Sequence, residues 1–344
     1  MTAFAWLIPP GPIANDAVKY VAMVSSPVNQ VPTPFCYRIG VPLIARLLPL
    51  APAAALTLVT YVSVVLASAL WWRVGRKLGL SSRALAMAAA CVASLQGWAG
   101  FLHNPYLTDA AGLLALTAVW AAWLGESFVL ALVVLGLGPL LRETVAPMGL
   151  LWAVERRWMK AGAALAVASV PLVAVRLVPG MPESTSDVAV LAHFLKVKGP
   201  LANLGDAFAS YHALWVLAFF GFRWAGPLLR KALGAPLGVT LAVAAALSLL
   251  GNTVRMFTLA LPFMALAAAQ FFEAMSERSS RLACALAASF VPGWFVWSST
   301  SVLGDAVSSH KWLQYVFGAL VLLASVMAAK WLSVAPDAGR VRQE

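Results

Sequence analysis

Apolar runs alternate with brief polar breaks along almost the whole chain. They lie near 51–72, 83–102, 107–124, 127–141, 144–155, 161–178, 211–224, 236–251, 256–274, 282–300 and 312–333. Runs of about 20 apolar residues match a hydrocarbon layer about 30 Å thick. A backbone in lipid must satisfy its own hydrogen bonds, which leaves helices or closed barrels. The runs show no period-two alternation, so helices are expected. The pattern predicts an all-α, polytopic transmembrane helix bundle of about 11–12 spans, with residues 1–344 forming a single integral-membrane domain. The 127–155 region is interrupted by Pro139, Arg142 and Glu143, which predicts two short helices or one kinked pair.

Two sizeable stretches do not fit a span. One is Gly11–Leu50, which carries Asp16, Lys19, Arg38 and Arg46 among several prolines; the other is 179–210. Residues 1–10 are apolar but too short to cross. They read either as the outer end of a helix that starts further upstream or as an interfacial segment. They lack the basic start of a cleavable signal.

Cations test the parse. Alternating the spans gathers Arg73, Arg76, Lys77, Arg83, Arg156, Arg157, Lys160, Arg223, Arg230, Lys231, Arg278, Arg281, Lys330, Arg340 and Arg342 on one side, fifteen of the 24 Lys and Arg residues. By the positive-inside rule that side is cytoplasmic. Gly11–Leu50 and 179–210 then become outer loops. The polar residues that stand out, including Asp16, Arg38, His103, Asn104, Asp109, Arg142, Glu143, Asn252 and Arg255, fall on the outer face.

Composition narrows the class. The chain is 62% hydrophobic and 11% charged, against roughly 25% charged in soluble domains. The net charge of +11 does not indicate nucleic-acid binding, because the cations are scattered between apolar runs. Cys36, Cys91 and Cys284 stand alone, without CxxC spacing or neighbouring histidines, so no metal cluster is expected.

Each candidate motif has a structural and a chemical reading. In IANDAVKY, Asn15 is placed to cap a short helix, with Asp16 in its first turn and Tyr20 one turn later. Asp16 then either complements the helix dipole or serves as a base for a hydroxyl. PTPFCYRIGVPLIARLLP reads as a short interfacial helix between prolines, with Tyr37 suited to the headgroup layer. Arg46 is expected to snorkel to lipid phosphates. Arg38 either does the same or binds a substrate phosphate. FLHNPYLTDAAG places His103 and Asn104 at a turn, and Asp109 begins a helix that it is expected to cap. Arg142 and Glu143, adjacent between apolar runs, are costly at membrane depth and point to function. They face different sides of a helix, so they are not simply each other's partner. Asn252 and Arg255 in NTVRMFTLALP lie at i,i+3 on one face, where the cation is placed to hold an anionic headgroup.

The combination of ND-x3-Y, PFCYRIGVPLIARLLP, NPYLTDA, LLRETVAPMGLL and NTVRMFTLALPF resembles the multi-pass membrane glycosyltransferases of the C superfamily (GT-C-like). In outline it is similar to the bacterial polyprenyl-phosphate-sugar transferases. The resemblance implies an acid near the reaction centre in the first outer loop, which is Asp16 here, and interfacial helices in that loop, matched by 27–49. It also implies a polyprenyl-phosphate sugar donor and inversion at the anomeric carbon. Tyr20, Tyr37, Arg38, His103, Asn104, Asp109, Arg142, Glu143, Asn252 and Arg255 are the expected substrate-binding residues. Arg38, Arg142 and Arg255 are candidates to stabilise the departing phosphate.

A membrane-embedded donor needs no nucleotide-binding domain, and the sequence carries no GxGxxG, P-loop or DxD motif. No cofactor is expected, and a divalent metal is left open. The expected partners are the polyprenyl-phosphate sugar donor, membrane lipids and an acceptor glycan, lipid or protein. The expected location is a bacterial inner or plasma membrane, with the active site facing outward to the cell envelope. The rival reading, a transporter or flippase of a lipid-linked sugar, calls for polar residues in both halves of the membrane and paired broken helices.

The cation split predicts that reporter fusions after Lys77, Lys160 and Lys231 report cytoplasm, and that fusions within 183–206 report the opposite side. An outside signal at Lys160 contradicts the parse.

Overall fold

The structure, a computed structural model, describes residues 13, 16–26, 31, 37–95, 101–178, 211–248, 256–291 and 311–334. Every regular element among them is helical. In chain order these are α1 (Asp16–Ser25), α2 (Gly40–Arg46), α3 (Pro52–Lys77), α4 (Ser82–Ala93), α5 (Asp109–Leu124) and α6 (Phe128–Leu141). A 3-10 segment (Glu143–Leu150) leads into α7 (Leu151–Val154), α8 (Trp158–Arg176), α9 (Leu214–Trp224) and α10 (Pro227–Ser248). A 3-10 turn (Thr258–Ala260) precedes α11 (Leu261–Arg278), α12 (Ser280–Ser289) and α13 (Lys311–Val334). Four stretches, Pro52–Lys77, Trp158–Arg176, Pro227–Ala246 and Thr258–Arg278, are long and apolar enough to cross a membrane.

The chain forms two compact units. One comprises 1–74, 97–210 and 234–262; the other comprises 75–96, 211–233 and 263–344. In the second unit, α9 and α11 pack backbone to backbone: a methyl at Gly221 would overlap the Ala267 carbonyl. Glu273 accepts hydrogen bonds from the Ser81 amide (2.9 Å) and hydroxyl (2.6 Å), which fixes the start of α4. The arginine–carboxylate pairs Arg38–Glu143 and Arg142–Asp109 lie in the first unit.

The expected spans largely appear as helices, with one informative departure. The run 144–155 is not an α-helix but a 3-10 segment followed by one α turn. Pro147 has no amide hydrogen to continue an α-helix. Gly149 lets the segment press against Leu165 of α8, where an added Cβ would lie 3.0 Å from Leu165 Cδ2. The slimmer 3-10 geometry rises faster, about 2.0 Å per residue against about 1.5 Å. The whole Glu143–Val154 stretch therefore covers about 22 Å, the same length as the 14 residues of α6 at about 21 Å. It runs back antiparallel to α6. At the far end Phe128 meets Trp152 edge to face at 5.3 Å, and Lys160 Nζ lies 5.3 Å over the Phe128 ring. The 127–155 region is thus two short antiparallel segments, with Arg142 and Glu143 at their turn.

α6 and α8 turn Leu130, Val133, Leu137, Val170 and Val173 outward and exposed. A contiguous apolar surface of this kind suits lipid rather than water.

Among the described residues of Gly11–Leu50, the helices are the short α1 and α2, neither long enough to cross a membrane. α1 buries Ala17, Tyr20, Met23 and Val24, one helical face. α2 buries Val41, Pro42 and Ala45 and leaves Leu43, Ile44 and Leu47 exposed, the profile of an interfacial helix. Both helices share a core with Ala55 and Leu56 of α3, Tyr106 and Ala111. At Gly40 a Cβ would meet Leu141 Cδ2 at 2.8 Å and the Leu140 carbonyl carbon at 3.0 Å. The start of α2 therefore rests directly on the end of α6, which brings Arg38 to Glu143.

Two glycine substitutions separate this packing from intrinsic helix propensity. A Cβ at Gly112 would lie 2.8 Å from Arg142 Cβ and 2.9 Å from its Cδ, whereas one at Gly162 on exposed α8 surface meets nothing within 4 Å. Gly112→Ala should destabilise the purified protein by about 1–3 kcal/mol through overpacking. Gly162→Ala should stabilise it by about 0.5–1 kcal/mol. Thermal unfolding in detergent distinguishes the two, and equal effects would contradict the packing described.

Candidate functional site

One end of the first unit collects charge from four separate chain segments. Arg142 is the C-cap of α6 and turns the backbone into an extended conformation. Its guanidinium forms an ion pair with Asp109, in the first turn of α5, and the two side chains are only 1% and 5% exposed. The sequence expectation that Asp109 caps its helix is corrected here. Thr108 holds the cap position instead, and the carboxylate is committed to Arg142. The physical reason is depth: a buried guanidinium must be paired, and Gly112 provides the space for its stem. Close to this pair in the chain, the hydroxyls of Thr108 and Thr144 are buried, as is the Nδ1 of His103 elsewhere in the turn before α5, with no hydrogen-bond partner among the described residues.

The next residue, Glu143, faces another partner. Arg38 grips it with two donors, Nε to Oε2 at 2.8 Å and an Nη2 to Oε1 contact. Arg38 Nη1 also donates to the Tyr20 hydroxyl at 3.1 Å. The sequence expectation that Arg142 and Glu143 are not each other's partner matches this arrangement: each belongs to a different arginine–carboxylate pair. Tyr20 is fully buried, the Arg38 side chain is 11% exposed and that of Glu143 is 40% exposed. Burial opposes the charge on Glu143, but the Arg38 guanidinium and its hydrogen bonds, with a smaller contribution from Arg142, hold the carboxyl down at about 2. The same pairing raises Arg38 further above its ordinary range against the cost of burial. Glu143 in this grip is a poor general base.

Asp16 opens α1, about one-third exposed, with its carboxylate 3.8 Å from Lys19 Nζ. Tyr20 follows one turn later, on the neighbouring position of the same helix face. The helix is anchored at Tyr20 by Arg38 and at its C-terminal end by Arg46. Its last turn has no basic residue. Arg46 supplies one from α2, donating to the carbonyls of Val24 at 3.0 Å and of Met23 and Ser26 at 2.7 Å. The expectation that Arg46 snorkels to lipid phosphate gives way to this helix-capping role.

Tyr37 lies under Arg176, whose guanidinium carbon is 4.6 Å from the ring centroid. Arg176 ends α8, is exposed, and donates to the Leu172 carbonyl at 3.1 Å. Sequence reasoning missed Arg176. Its signal is an arginine at the outer end of a span, against the positive-inside trend. His103 and Asn104 sit at the turn before α5, held to α3 by the Thr60 hydroxyl donating to the Pro105 carbonyl at 2.6 Å. Among the described residues, His103 and Asn104 join neither arginine–carboxylate pair. Asn252 and Arg255 lie outside the described residues. No group of three His, Cys, Asp or Glu side chains gathers as a metal site among the described residues.

Comparison with protein-family models, with curated proteins and with solved structures finds no match.

The pH behaviour of the Glu143 pair follows from its sign. The folded-state value of about 2 lies below the unfolded value of about 4.3. The pair's contribution is complete above about 4.3 and is lost as pH falls toward 2. The difference in thermal midpoint between the wild type and Glu143→Gln should be constant from pH 5 to 8 and should shrink below about 4.3. A difference that changes between pH 6 and 8 would contradict the assignment.

Proposed function

We propose that this protein is a multi-pass membrane glycosyltransferase. It transfers a sugar from a polyprenyl-phosphate donor to an acceptor hydroxyl at the extracytoplasmic face of a bacterial inner or plasma membrane. The observation that carries this reading is Asp16: an accessible carboxylate on a short helix, anchored by Arg46 and by the Arg38–Tyr20 contact, at the charged end of an apolar bundle. The cation split of the sequence supports an outward orientation of this end. The exposed apolar faces of α2, α6 and α8 support a lipid substrate that approaches within the bilayer.

The chemistry needs few groups. Asp16 accepts the proton of the acceptor hydroxyl as its oxygen attacks the anomeric carbon. The bond from that carbon to the phosphate oxygen breaks, polyprenyl phosphate departs with the electron pair, and the configuration inverts. A cation near the phosphate stabilises the charge that builds on it. Arg38, Arg176 and Arg255 are the candidates. Arg142 is committed to Asp109 and serves as a strut.

The test is incubation of the purified protein with a panel of polyprenyl-phosphate sugars and acceptors, with release of polyprenyl phosphate as the readout. Asp16→Asn keeps the size of the side chain and removes its proton affinity. Turnover should fall about 10²–10⁴-fold while donor binding survives. If Asp16 only complements the helix dipole, the substitution costs about 0.3–1 kcal/mol of stability and leaves turnover intact. Near-normal turnover by a well-folded Asp16→Asn protein removes Asp16 from the site.

A further inference from the structure

The two arginine–carboxylate pairs differ in one respect that matters for ligand binding. Arg142–Asp109 is sealed, with side chains 1% and 5% exposed. Its carboxylate cannot leave without stranding a buried guanidinium. In Arg38–Glu143 the arginine is 11% exposed and the carboxylate 40%. Glu143 can swing into water, and a phosphate that takes its place on the guanidinium offsets the pairing it gives up. Arg38 would not follow it, since Nη1 is also tied to the buried Tyr20 hydroxyl. The fork left behind by Glu143, Nε and Nη2, presents two parallel donors, a geometry that fits a phosphate as well as a carboxylate. Another cation, exposed Arg176, lies over the ring of Tyr37, the residue before Arg38 in the chain.

We propose that Glu143 is a stand-in ligand: the Arg38 fork exchanges the Glu143 carboxylate for the phosphate group of an incoming ligand, and Arg176 adds the second cation. The proposal rests on the glycosyltransferase reading only for the origin of the phosphate. The exchange itself involves no covalent change. One anion replaces another on the guanidinium, and Glu143 enters solvent as a carboxylate. The resting site then carries no uncompensated charge at Arg38, and anions that bind more weakly than Glu143 are kept out.

The exchange makes a prediction opposite to that of a structural salt bridge. Calorimetric titration of the whole purified chain in detergent would use two probes, inorganic phosphate and geranyl phosphate. Glu143→Gln removes the competing charge and should bind phosphate about three- to tenfold tighter than wild type. Arg38→Gln should bind at least about tenfold more weakly. If Glu143→Gln does not fold, Glu143→Asp, one methylene shorter and unable to reach both donors, should tighten binding by a smaller factor.

Tighter binding of both probes supports the exchange and makes the phosphate group the recognised feature. Tighter binding of geranyl phosphate alone supports it with a lipid phosphate as ligand, and tighter binding of inorganic phosphate alone supports it with a soluble anion. Unchanged or weaker binding of both probes by a well-folded variant overturns the exchange. The two proposals fail separately. Sugar transfer without the affinity gain sinks the stand-in role alone, whereas the gain without sugar transfer sinks the glycosyltransferase reading alone.

Discussion

The buried pair of Arg142 and Asp109 is the constraint on which the charged end of the bundle depends. Placing two ions where their side chains are almost fully excluded from solvent costs several kcal/mol per ion before pairing. The cost is offset only if each ion finds the other, and that requirement fixes the end of α6 against the start of α5. Gly112 on α5 exists in this context as space, because any side chain there would strike the Arg142 stem. With α6 ended and the chain turned at Arg142, Glu143 is presented on the other side of the turn. Gly40 brings α2 onto Leu140 and Leu141, and Arg38 then reaches Glu143. Each contact sets the geometry of the next, from a sealed ion pair to an accessible one.

This order explains the division of roles among the charged residues. The deepest arginine is structural, the intermediate one is tied to an accessible carboxylate, and the most exposed one, Arg176, rests on an aromatic ring. The acids divide in the same way. Asp109 is sealed, Glu143 is held well below the ordinary carboxylate range by Arg38, and Asp16 stands at the mouth of its helix. Asp16, 3.8 Å from Lys19 Nζ, is the acid to which the proposed reaction gives the general-base role.

Much of the architecture is legible in the chain. The helical class follows from apolar runs without period-two alternation. Gly11–Leu50 reads as a segment too polar and proline-rich to span, and its described residues include two short helices on a shared apolar core. The i,i+4 spacing of Asp16 and Tyr20 alone sets them one turn apart on a helix. What is not legible is pairing. Arg38 and Glu143 are 105 residues apart, and nothing local states which of several acids an arginine will meet. Arg46 looks like a lipid anchor because its partners are backbone carbonyls, which carry no sequence signature. The 144–155 run looks like a helix because it is apolar. Pro147 and the close approach at Gly149 make it a 3-10 strut instead.

The central claim is that one sealed ion pair holds together the charged end of the bundle. A double-mutant cycle at Asp109 and Arg142, read by unfolding of the whole purified chain, tests it most directly. Asp109→Asn and Arg142→Gln should each cost about 3–5 kcal/mol by leaving a buried charge unpaired. The double variant should cost little more than either single one, a coupling well beyond the roughly 0.3–0.5 kcal/mol tolerated for independent sites. Additive effects, or single substitutions that cost less than about 1 kcal/mol, would show that the pair does not hold this end together and would contradict the account.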